Sequence, residues 1–173
     1  IVVDDGSTDG TASVVVAMGA PVRLISQEKA TAAKARNRGM LESTGDFIHL
    51  LDADDELLPS GIQQRVLALA LRPDARLCYS HFEFTGRTDD SVGLGFEQVP
   101  FDDFRSATGD PMLAVCSRFP FQASTMLFPR WFREQVGFFE DDLIQAEDVR
   151  YWFRMARNGL RVVAIRKPMT RRY

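Results

Sequence analysis

Short apolar segments alternate with longer segments of helical periodicity along the sequence, and this alternation restricts the fold class more than any other feature. Segments typical of strands lie at residues 1–3, 22–25, 47–51, 77–79, 125–128 and 162–165. Helical segments between and after them end near Met18, Glu42, Ala70 and Gly159. Strands that alternate with helices predict an α/β fold with a mostly parallel sheet. Ligands of such sheets bind at the carboxyl ends of the strands, so residues that follow strands are the first candidates for function.

Apolar spacing also predicts which faces are buried. The third strand segment, residues 47–51, is nearly all apolar, which predicts burial on both of its faces. The predicted buried face of the third helix comprises Leu58, Ile62, Val66 and Ala70. The predicted buried stripe of the last helix comprises Val149, Trp152, Phe153 and Ala156.

Composition excludes several classes of partner and site. The 173 residues are 45% hydrophobic and 26% charged, enough for one globular domain. The net charge of −3 predicts no general attraction to nucleic acid. No apolar run approaches the roughly 20 residues that a membrane-spanning helix needs. Cys78 and Cys116 lack the spacing of a metal site, so we interpret both as core or neutral residues in a reducing compartment.

Acidic residues follow the third strand segment directly, in "LLDADDELLP". Asp52 and Asp54 point the same way in an extended chain, and their carboxylates repel unless a cation or solvent lies between them. Mg²⁺ or Mn²⁺ fits such oxygen ligands and often uses one or two carboxylates. A solvated turn that caps the helix at Pro59 explains the same residues equally well.

A second acidic site follows the first strand segment, in "DDGSTDGT". Gly6 and Gly10 allow tight backbone turns, and the helix that follows offers free N–H groups. Asp4 and Asp5 are placed to accept hydrogen bonds from a nucleotide base or a ribose hydroxyl. A plain turn with a helix cap remains the alternative.

A third acidic pair, Glu147 and Asp148, opens the last helix. Acids at this position are favoured by the helix dipole, which explains them structurally. The functional alternative is a general base. Of the two histidines, His49 lies inside an apolar strand and is interpreted as a core residue, whereas His81 carries no signal.

Four motifs occur in order along the chain: "VVDDGSTDGT", "ARNRG", "LLDADDELLP" and "VGFFEDDLIQAEDVRYWFRMARNG". Together they resemble the family 2 glycosyltransferases of the GT-A fold over nearly the whole chain. The resemblance implies a nucleotide-diphospho-sugar transferase fold, with a Rossmann-like, mostly parallel central sheet flanked by helices.

The resemblance also implies roles for individual residues. Asp5, with Asp4 beside it, matches the group that contacts the base and ribose of the donor, and Arg36 resembles a donor-side residue. Asp52 and Asp54 match the DxD motif that holds Mn²⁺ or Mg²⁺ on the donor diphosphate, with Asp54 as the direct ligand and Asp52 also on the donor side. The acid that resembles the catalytic base is Asp148.

The implied reaction is the inverting transfer of a sugar from a UDP-, GDP- or dTDP-sugar to a saccharide or glycoconjugate hydroxyl, in polysaccharide or lipopolysaccharide synthesis. The acceptor would be bound by residues within 86–130, with Gln122 and Glu147 as candidates and Phe119 and Phe121 as either groove or core residues. The resemblance implies a cytoplasmic protein, with peripheral membrane association left open.

We expect one glycosyltransferase domain, with a nucleotide-sugar-binding half at about residues 1–80 and an acceptor-binding and catalytic half at about residues 81–173. The first strand–helix unit of the family is absent from this chain. We therefore expect the natural protein to extend upstream of Ile1, with further donor contacts in that part.

One departure and three alternatives accompany this resemblance. Thr31 stands where relatives often carry glycine, so the donor loop is expected to differ there. A non-catalytic nucleotide-sugar-binding protein would share the fold, but the acids at all three sites disfavour it. An aspartyl-phosphatase would need a downstream lysine, and Lys167 is the only one after position 34. A glycosidase with two carboxylates would not need the glycine-rich loop at residues 6–10.

Overall fold

The computed structural model describes residues 1–85, 122–142 and 147–173. The strands in these ranges are β1 (Val2–Asp5), β2 (Leu24–Gln27), β3 (Phe47–His49), β4 (Asp55–Leu57), β5 (Leu77–Phe84), β6 (Met126–Pro129) and β7 (Val162–Arg172). The helices are α1 (Thr11–Met18), α2 (Ala32–Glu42), α3 (Gly61–Leu71), α4 (Arg130–Val136) and α5 (Glu147–Arg157). A 3-10 helix, Ala123–Thr125, precedes β6.

The chain divides into two compact units that interleave along the sequence. The first unit comprises Ile1–Gly45 and Gly137–Tyr151, and the second comprises Asp46–Val136 and Trp152–Tyr173. This division reflects packing. The boundary predicted near residue 80 is a different kind of division, between a donor-binding half and an acceptor-binding half. It stays a prediction.

The first unit is built on the parallel pair β1 and β2, in which Val3 lies opposite Ile25. Helix α2 packs on β1 at very short range, since a Cβ on Gly39 would lie 3.4 Å from Cγ2 of Val3. Thr31 is the N-cap of this helix, because its Oγ1 accepts a hydrogen bond from the Lys34 N–H at 3.2 Å. The absence of a side chain at Gly39 is what allows α2 to pack closely on β1.

The second unit contains a five-stranded sheet in the order β3-β6-β5-β7-β4. Strands β5 and β7 are parallel, whereas the other three pairings are antiparallel. The α/β class is confirmed, but the described sheets are mixed rather than mostly parallel. Apolar alternation reveals where strands lie and not their direction, and the antiparallel partners β3 and β6 are far apart in the sequence.

The predicted face of the third helix is wrong by one position. Helix α3 buries Gly61, Arg65 and Leu69, while Ile62 is 38% exposed. The helix turns this face inward because the Arg65 guanidinium donates to the hydroxyls of Ser80 and Thr170. An apolar pattern cannot predict the burial of a charged residue, because that burial depends on hydrogen-bond partners elsewhere in the chain.

Two further burial predictions are corrected. Around β3 exposure alternates, with Ile48 and Leu50 buried but Phe47 37% and Leu51 46% exposed, so one face is covered and not both. On α5 the prediction was right for Trp152 and Ala156, which are buried together with Tyr151 and Met155.

Val149, also predicted to be buried on α5, is 40% exposed, and Phe153 is only half-buried. The backbone ends the helix as predicted, since Gly159 has φ +74° and donates its N–H to the Ala156 carbonyl.

Cys78 is a buried free thiol in a core cluster with Leu69, Ala75 and Leu127, as predicted. Burial raises the pKa of its thiol to about 12, so it stays protonated and inert at neutral pH. Cys116 lies outside the described residues. Among the residues that the structure describes, none belongs to a helix long and apolar enough to cross a membrane.

Candidate active site

The predicted site residues fall into both units. Those in the first unit are Asp4, Asp5, Arg36, Glu147 and Asp148. Those in the second unit are Asp52, Asp54 and Gln122. Phe119 and Phe121 lie outside the described residues.

Asp4 organises the turn that follows β1. Its side chain is buried, and Oδ1 accepts a hydrogen bond from the Ser7 N–H at 3.0 Å. An aspartate that bonds the backbone a few residues on stabilises a tight turn. Two residues before α1 begins, Asp9 likewise accepts from the Thr11 N–H at 2.9 Å. The structure thus gives Asp4 a structural task that the sequence alone did not separate from ligand binding.

Asp5 is held at the carboxyl end of β1 by the last residue of β2 and by the segment that follows it. Its Oδ1 accepts from Nε2 of Gln27 at 2.7 Å and from the Ala30 N–H at 3.0 Å. Both bonds fall on Oδ1, so within the described part of the chain Oδ2 has no hydrogen-bond partner. The carboxylate is therefore oriented by the protein and retains acceptor capacity for a ligand.

Gly6 is required by the geometry of this turn. Its φ is +77°, and a Cβ at this position would lie 2.8 Å from the backbone nitrogen of Lys29. Positive φ and close backbone approach both favour glycine. Gly10 differs, since a Cβ there would meet nothing within 4 Å. The loop that carries Asp5 thus depends on one of its two glycines.

An open groove of about 450 Å³ lies in the first unit beside the residue that orients Asp5. Its lining includes Gln27, Lys34, Asn37 and Phe139. The volume lies within the range of small-molecule sites, and the lining combines an aromatic ring with amide and ammonium donors. Asp141 lines the same groove, so the lining carries both positive and negative charge.

The "ARN" motif contacts Phe139 and the first residue of α5, Glu147. Arg36 donates from Nη1 to Oε1 of Glu147 at 3.0 Å, and its guanidinium lies 5.7 Å from the centre of the Phe139 ring. Phe139 in turn stacks on Tyr151, with ring centroids 4.1 Å apart. Arg36 and Glu147 therefore form an ion pair. The sequence had assigned Arg36 to the binding of the sugar donor and Glu147 to the binding of the acceptor substrate.

Asn37 is a residue that the sequence reasoning missed. Its Nδ2 donates to the Phe139 carbonyl at 2.9 Å, and its Oδ1 accepts from the Phe139 N–H at 2.8 Å. This two-point bond fixes a backbone segment 102 residues further along the chain. The signal in the sequence was its place in the "ARNRG" motif, to which only Arg36 was assigned a role.

Asp148 is the second residue of α5 and is half-buried. Its Oδ1 accepts from the Val149 N–H at 2.7 Å. The carboxylate thus lies at the helix N-terminus, where the dipole stabilises negative charge. The structure therefore places the Asp148 side chain as a hydrogen-bond acceptor at the start of α5.

The loop at residues 50–54, which contains Asp52 and Asp54 and is called the DxD loop here, joins β3 to β4 in the second unit. Asp54 is exposed, and Asp52 is half-buried with its N–H donated to Oγ of Ser124 at 3.0 Å. Asp55 differs from both, since its side chain is only 1% exposed and accepts a hydrogen bond from Nε of Arg172 at 3.2 Å. The loop is anchored at both ends, and its exposed carboxylate is Asp54.

The donor set of this loop fits a hard divalent cation. Carboxylate oxygens are the ligands that Mg²⁺ and Mn²⁺ prefer, and such ions often take the rest from water and phosphate. No group of three metal-binding side chains occurs among residues 1–85, 122–142 and 147–173. A cation here would be held by Asp54 and Asp52, whereas the side chain of Asp55 is buried and accepts from Arg172 through Oδ1.

His49 is half-buried within β3 rather than fully buried, so the core interpretation is confirmed only in part. Its Nδ1 donates to the Met126 carbonyl at 2.6 Å, and burial together with the charge of Arg65 lowers its pKa to about 4. Gln122 is half-buried and caps the 3-10 helix through its carbonyl, which accepts from the Thr125 N–H at 3.0 Å. Its acceptor-side role stays a prediction.

The comparisons with known proteins decide the family. The family model "Glycosyl transferase family 2" matches residues 1–118, which include the Asp5 turn, Arg36 and the DxD loop. The chain belongs to glycosyl transferase family 2. Asp148 lies beyond the matched residues, so its role rests on the motif resemblance alone.

Curated relatives agree with this membership. The uncharacterised glycosyltransferase YibD of Escherichia coli K12 is 33% identical over 109 residues, which are 61% of this chain and 30% of that protein. The putative glycosyltransferase EpsH of Bacillus subtilis is 31% identical over 113 residues, which are 62% of this chain and 33% of that protein. The chain spans about a third of the length of these relatives.

Solved structures confirm the GT-A fold. TarS 1-349 of S. aureus superposes with a TM-score of 0.75 at 17% identity, over 98% of this chain and 49% of that one. The mannosyltransferase PcManGT from Pyrobaculum calidifontis, solved with GDP-Man and Mn²⁺, gives a TM-score of 0.64 at 22% identity, over 98% of this chain and 46% of that one. At these identities the likeness establishes the fold alone.

Proposed function

We propose that this chain is the catalytic part of a glycosyltransferase that moves a sugar from a nucleoside-diphosphate sugar to a hydroxyl of a saccharide or glycoconjugate acceptor. The observation that carries the proposal is the family match over residues 1–118. Two neighbours of the same fold support the donor class, since TarS 1-349 was solved with UDP-GlcNAc and PcManGT with GDP-Man.

On the donor side, Asp5 accepts hydrogen bonds from the base or ribose through Oδ2. Its other oxygen is already fixed by Gln27 and Ala30, so little ordering is needed on binding. Arg36 contributes positive charge to donor binding while it stays bonded to Glu147. A preorganised acceptor of this kind supports binding of a nucleotide with ring N–H or hydroxyl donors.

At the DxD loop, Asp54 and Asp52 hold a divalent cation, Mn²⁺ or Mg²⁺. When bound, the cation supplies positive charge that stabilises the departing diphosphate. The fit rests on the donor set described above and on the exposure of Asp54. The protein's own contribution is to hold the two carboxylates on an anchored loop, through the Asp52–Ser124 and Asp55–Arg172 bonds.

Asp148 acts as the general base. It takes the proton of the acceptor hydroxyl as that oxygen forms a bond to the anomeric carbon. The bond from the anomeric carbon to the diphosphate oxygen breaks, and its electron pair leaves with the nucleoside diphosphate. One displacement inverts the anomeric configuration, and no sugar becomes attached to the enzyme. Gln122 and Glu147 are the residues that we assign to the acceptor side.

The test compares Asp148→Asn with Asp142→Asn in the full-length protein, because Asp142 is an exposed acid without an assigned role. Donor turnover should fall by about 10²-fold or more in Asp148→Asn, the usual contribution of a general base, and stay unchanged in the control. NMR of the product should show the inverted anomeric configuration. Full activity in Asp148→Asn, or a retained configuration, contradicts the proposed mechanism.

A further inference from the structure

Arg65 is a buried arginine without a carboxylate partner among the described residues. It is 0% exposed, and its Nη2 donates to Oγ of Ser80 at 2.6 Å and to Oγ1 of Thr170 at 2.8 Å. Its Nε and Nη1 have no hydrogen-bond partner in the described part of the chain. A guanidinium paired only with neutral hydroxyls costs free energy to bury, so a purely structural task would be served better by an apolar residue.

The bonds of Arg65 continue to the DxD loop. Oγ1 of Thr170 donates to the Ser124 carbonyl at 2.7 Å, and Oγ of Ser124 accepts the Asp52 N–H at 3.0 Å. Ser80, Thr170 and Ser124 are each 0% exposed, so water does not compete for these bonds. A buried path of hydrogen bonds therefore joins the guanidinium on α3 to the backbone of Asp52.

The chemistry of the guanidinium fixes the direction of this path. A hydroxyl has one proton to donate, and an arginine donates without ever accepting. Oγ1 of Thr170 must therefore accept from Arg65, which leaves its proton for the Ser124 carbonyl. Charge-assisted bonds are the stronger ones, so Arg65 also restricts the rotation of both hydroxyls that it contacts.

We propose that Arg65 is a positioning residue for the DxD loop, acting through Thr170 and Ser124 on the backbone of Asp52. The value of this position for catalysis rests on the proposed function, in which Asp52 and Asp54 hold the cation. The effect of Arg65 on the position of the loop does not depend on the proposed function. This effect can be measured without any ligand.

The variants isolate the donors from the bulk of the side chain. Arg65→Met keeps a long apolar stem and removes every donor, whereas Arg65→Lys restores a charged donor with a different geometry. Leu69→Ala is the matched control, since Leu69 lies one turn further on the same buried face of α3 and takes no part in the path. It destabilises the same helix by loss of packing alone.

The first readout is hydrogen exchange of the Asp52 amide in the full-length protein, measured by NMR below the unfolding transition of every variant. Arg65→Met should accelerate this exchange about tenfold relative to Leu69→Ala, a loss equivalent to about one hydrogen bond. Arg65→Lys should lie between Arg65→Met and the wild type. Equal exchange of the Asp52 amide in Arg65→Met and Leu69→Ala overturns the proposal.

The second readout is the dissociation constant of Mn²⁺ in the presence of the nucleotide that the wild type binds. Arg65→Met should weaken Mn²⁺ binding roughly threefold to tenfold, while Leu69→Ala leaves it unchanged. Unchanged Mn²⁺ binding in Arg65→Met overturns the link to the metal loop. If the wild type binds no Mn²⁺, the metal part of the proposed function fails, and the amide exchange still decides whether Arg65 positions Asp52.

Discussion

Arg36 and Glu147 form an ion pair across 111 residues of sequence, with Nη1 3.0 Å from Oε1. Their side chains are only 18% and 19% exposed, so water screens the pair less than it screens a surface pair. The pair joins the "ARN" motif to the residue that precedes Asp148. The ion pair therefore links α2 to the first residue of α5 within the first unit.

This linkage predicts a measurable coupling energy. A double-mutant cycle of Arg36→Ala and Glu147→Ala, followed by urea unfolding, should give a coupling of about 1 kcal/mol. Arg23 and Glu42 provide the control, because this pair is also 3.0 Å apart but its side chains are 51% and 34% exposed. The control cycle should give a clearly smaller value. Equal couplings in the two cycles would show that burial does not strengthen the Arg36–Glu147 pair.

The turn after β1 predicts unequal effects for its two glycines. Gly6→Ala should lower the free energy of unfolding by about 2 kcal/mol or more, because positive φ is strained and the new Cβ meets the backbone of Lys29. Gly10→Ala should cost less than about 1 kcal/mol, since space is open and only a helix N-cap changes. Urea denaturation measures both. Similar losses in the two variants would contradict the geometry of the turn.

Burial of His49 predicts a dependence of stability on pH. Its pKa is about 4 in the folded protein, against 6.5 as the ordinary value. Between these pH values the unfolded chain binds the extra proton and the folded protein does not, so stability falls as pH falls from 6.5 towards 4. The full loss is on the order of 3 kcal/mol.

A substitution isolates this effect. His49→Asn keeps a donor for the Met126 carbonyl but cannot titrate, so it should flatten the fall in stability between pH 6.5 and 4. The wild type and His49→Asn are unfolded with urea at each pH in the same buffers, so the difference between their slopes isolates this one imidazole. The prediction is wrong if the slope persists in His49→Asn.

The sequence predicted the local features of this fold well because they depend on neighbouring residues. Gly159 ends α5 and strands follow the apolar segments, as expected from short-range preferences. Asp5 is the last residue of β1, and Asp54 lies in the loop that follows β3, as the α/β pattern predicts.

Features that depend on distant partners could not be predicted. Strand β7 extends to Arg172, through charged residues that no apolar pattern marks, because its backbone pairs with both β4 and β5, with Arg171 opposite Glu56 and Glu83. The buried face of α3 follows from the hydroxyl partners of Arg65, which lie in later parts of the chain. The task of Asp4 in its own turn became visible only with coordinates.

Binding of nucleotides tests the central claim, a metal-dependent donor site, most directly. The full-length protein should be titrated by calorimetry with UDP, GDP, dTDP and CDP, each with and without Mn²⁺, alongside Asp54→Ala. Asp142→Ala serves as a control in which an exposed acid without an assigned role is removed. We predict that one nucleotide binds in a Mn²⁺-dependent manner, and that Asp54→Ala abolishes this binding while Asp142→Ala retains it. Failure of all four nucleotides to bind the folded protein, with or without Mn²⁺, would contradict the account.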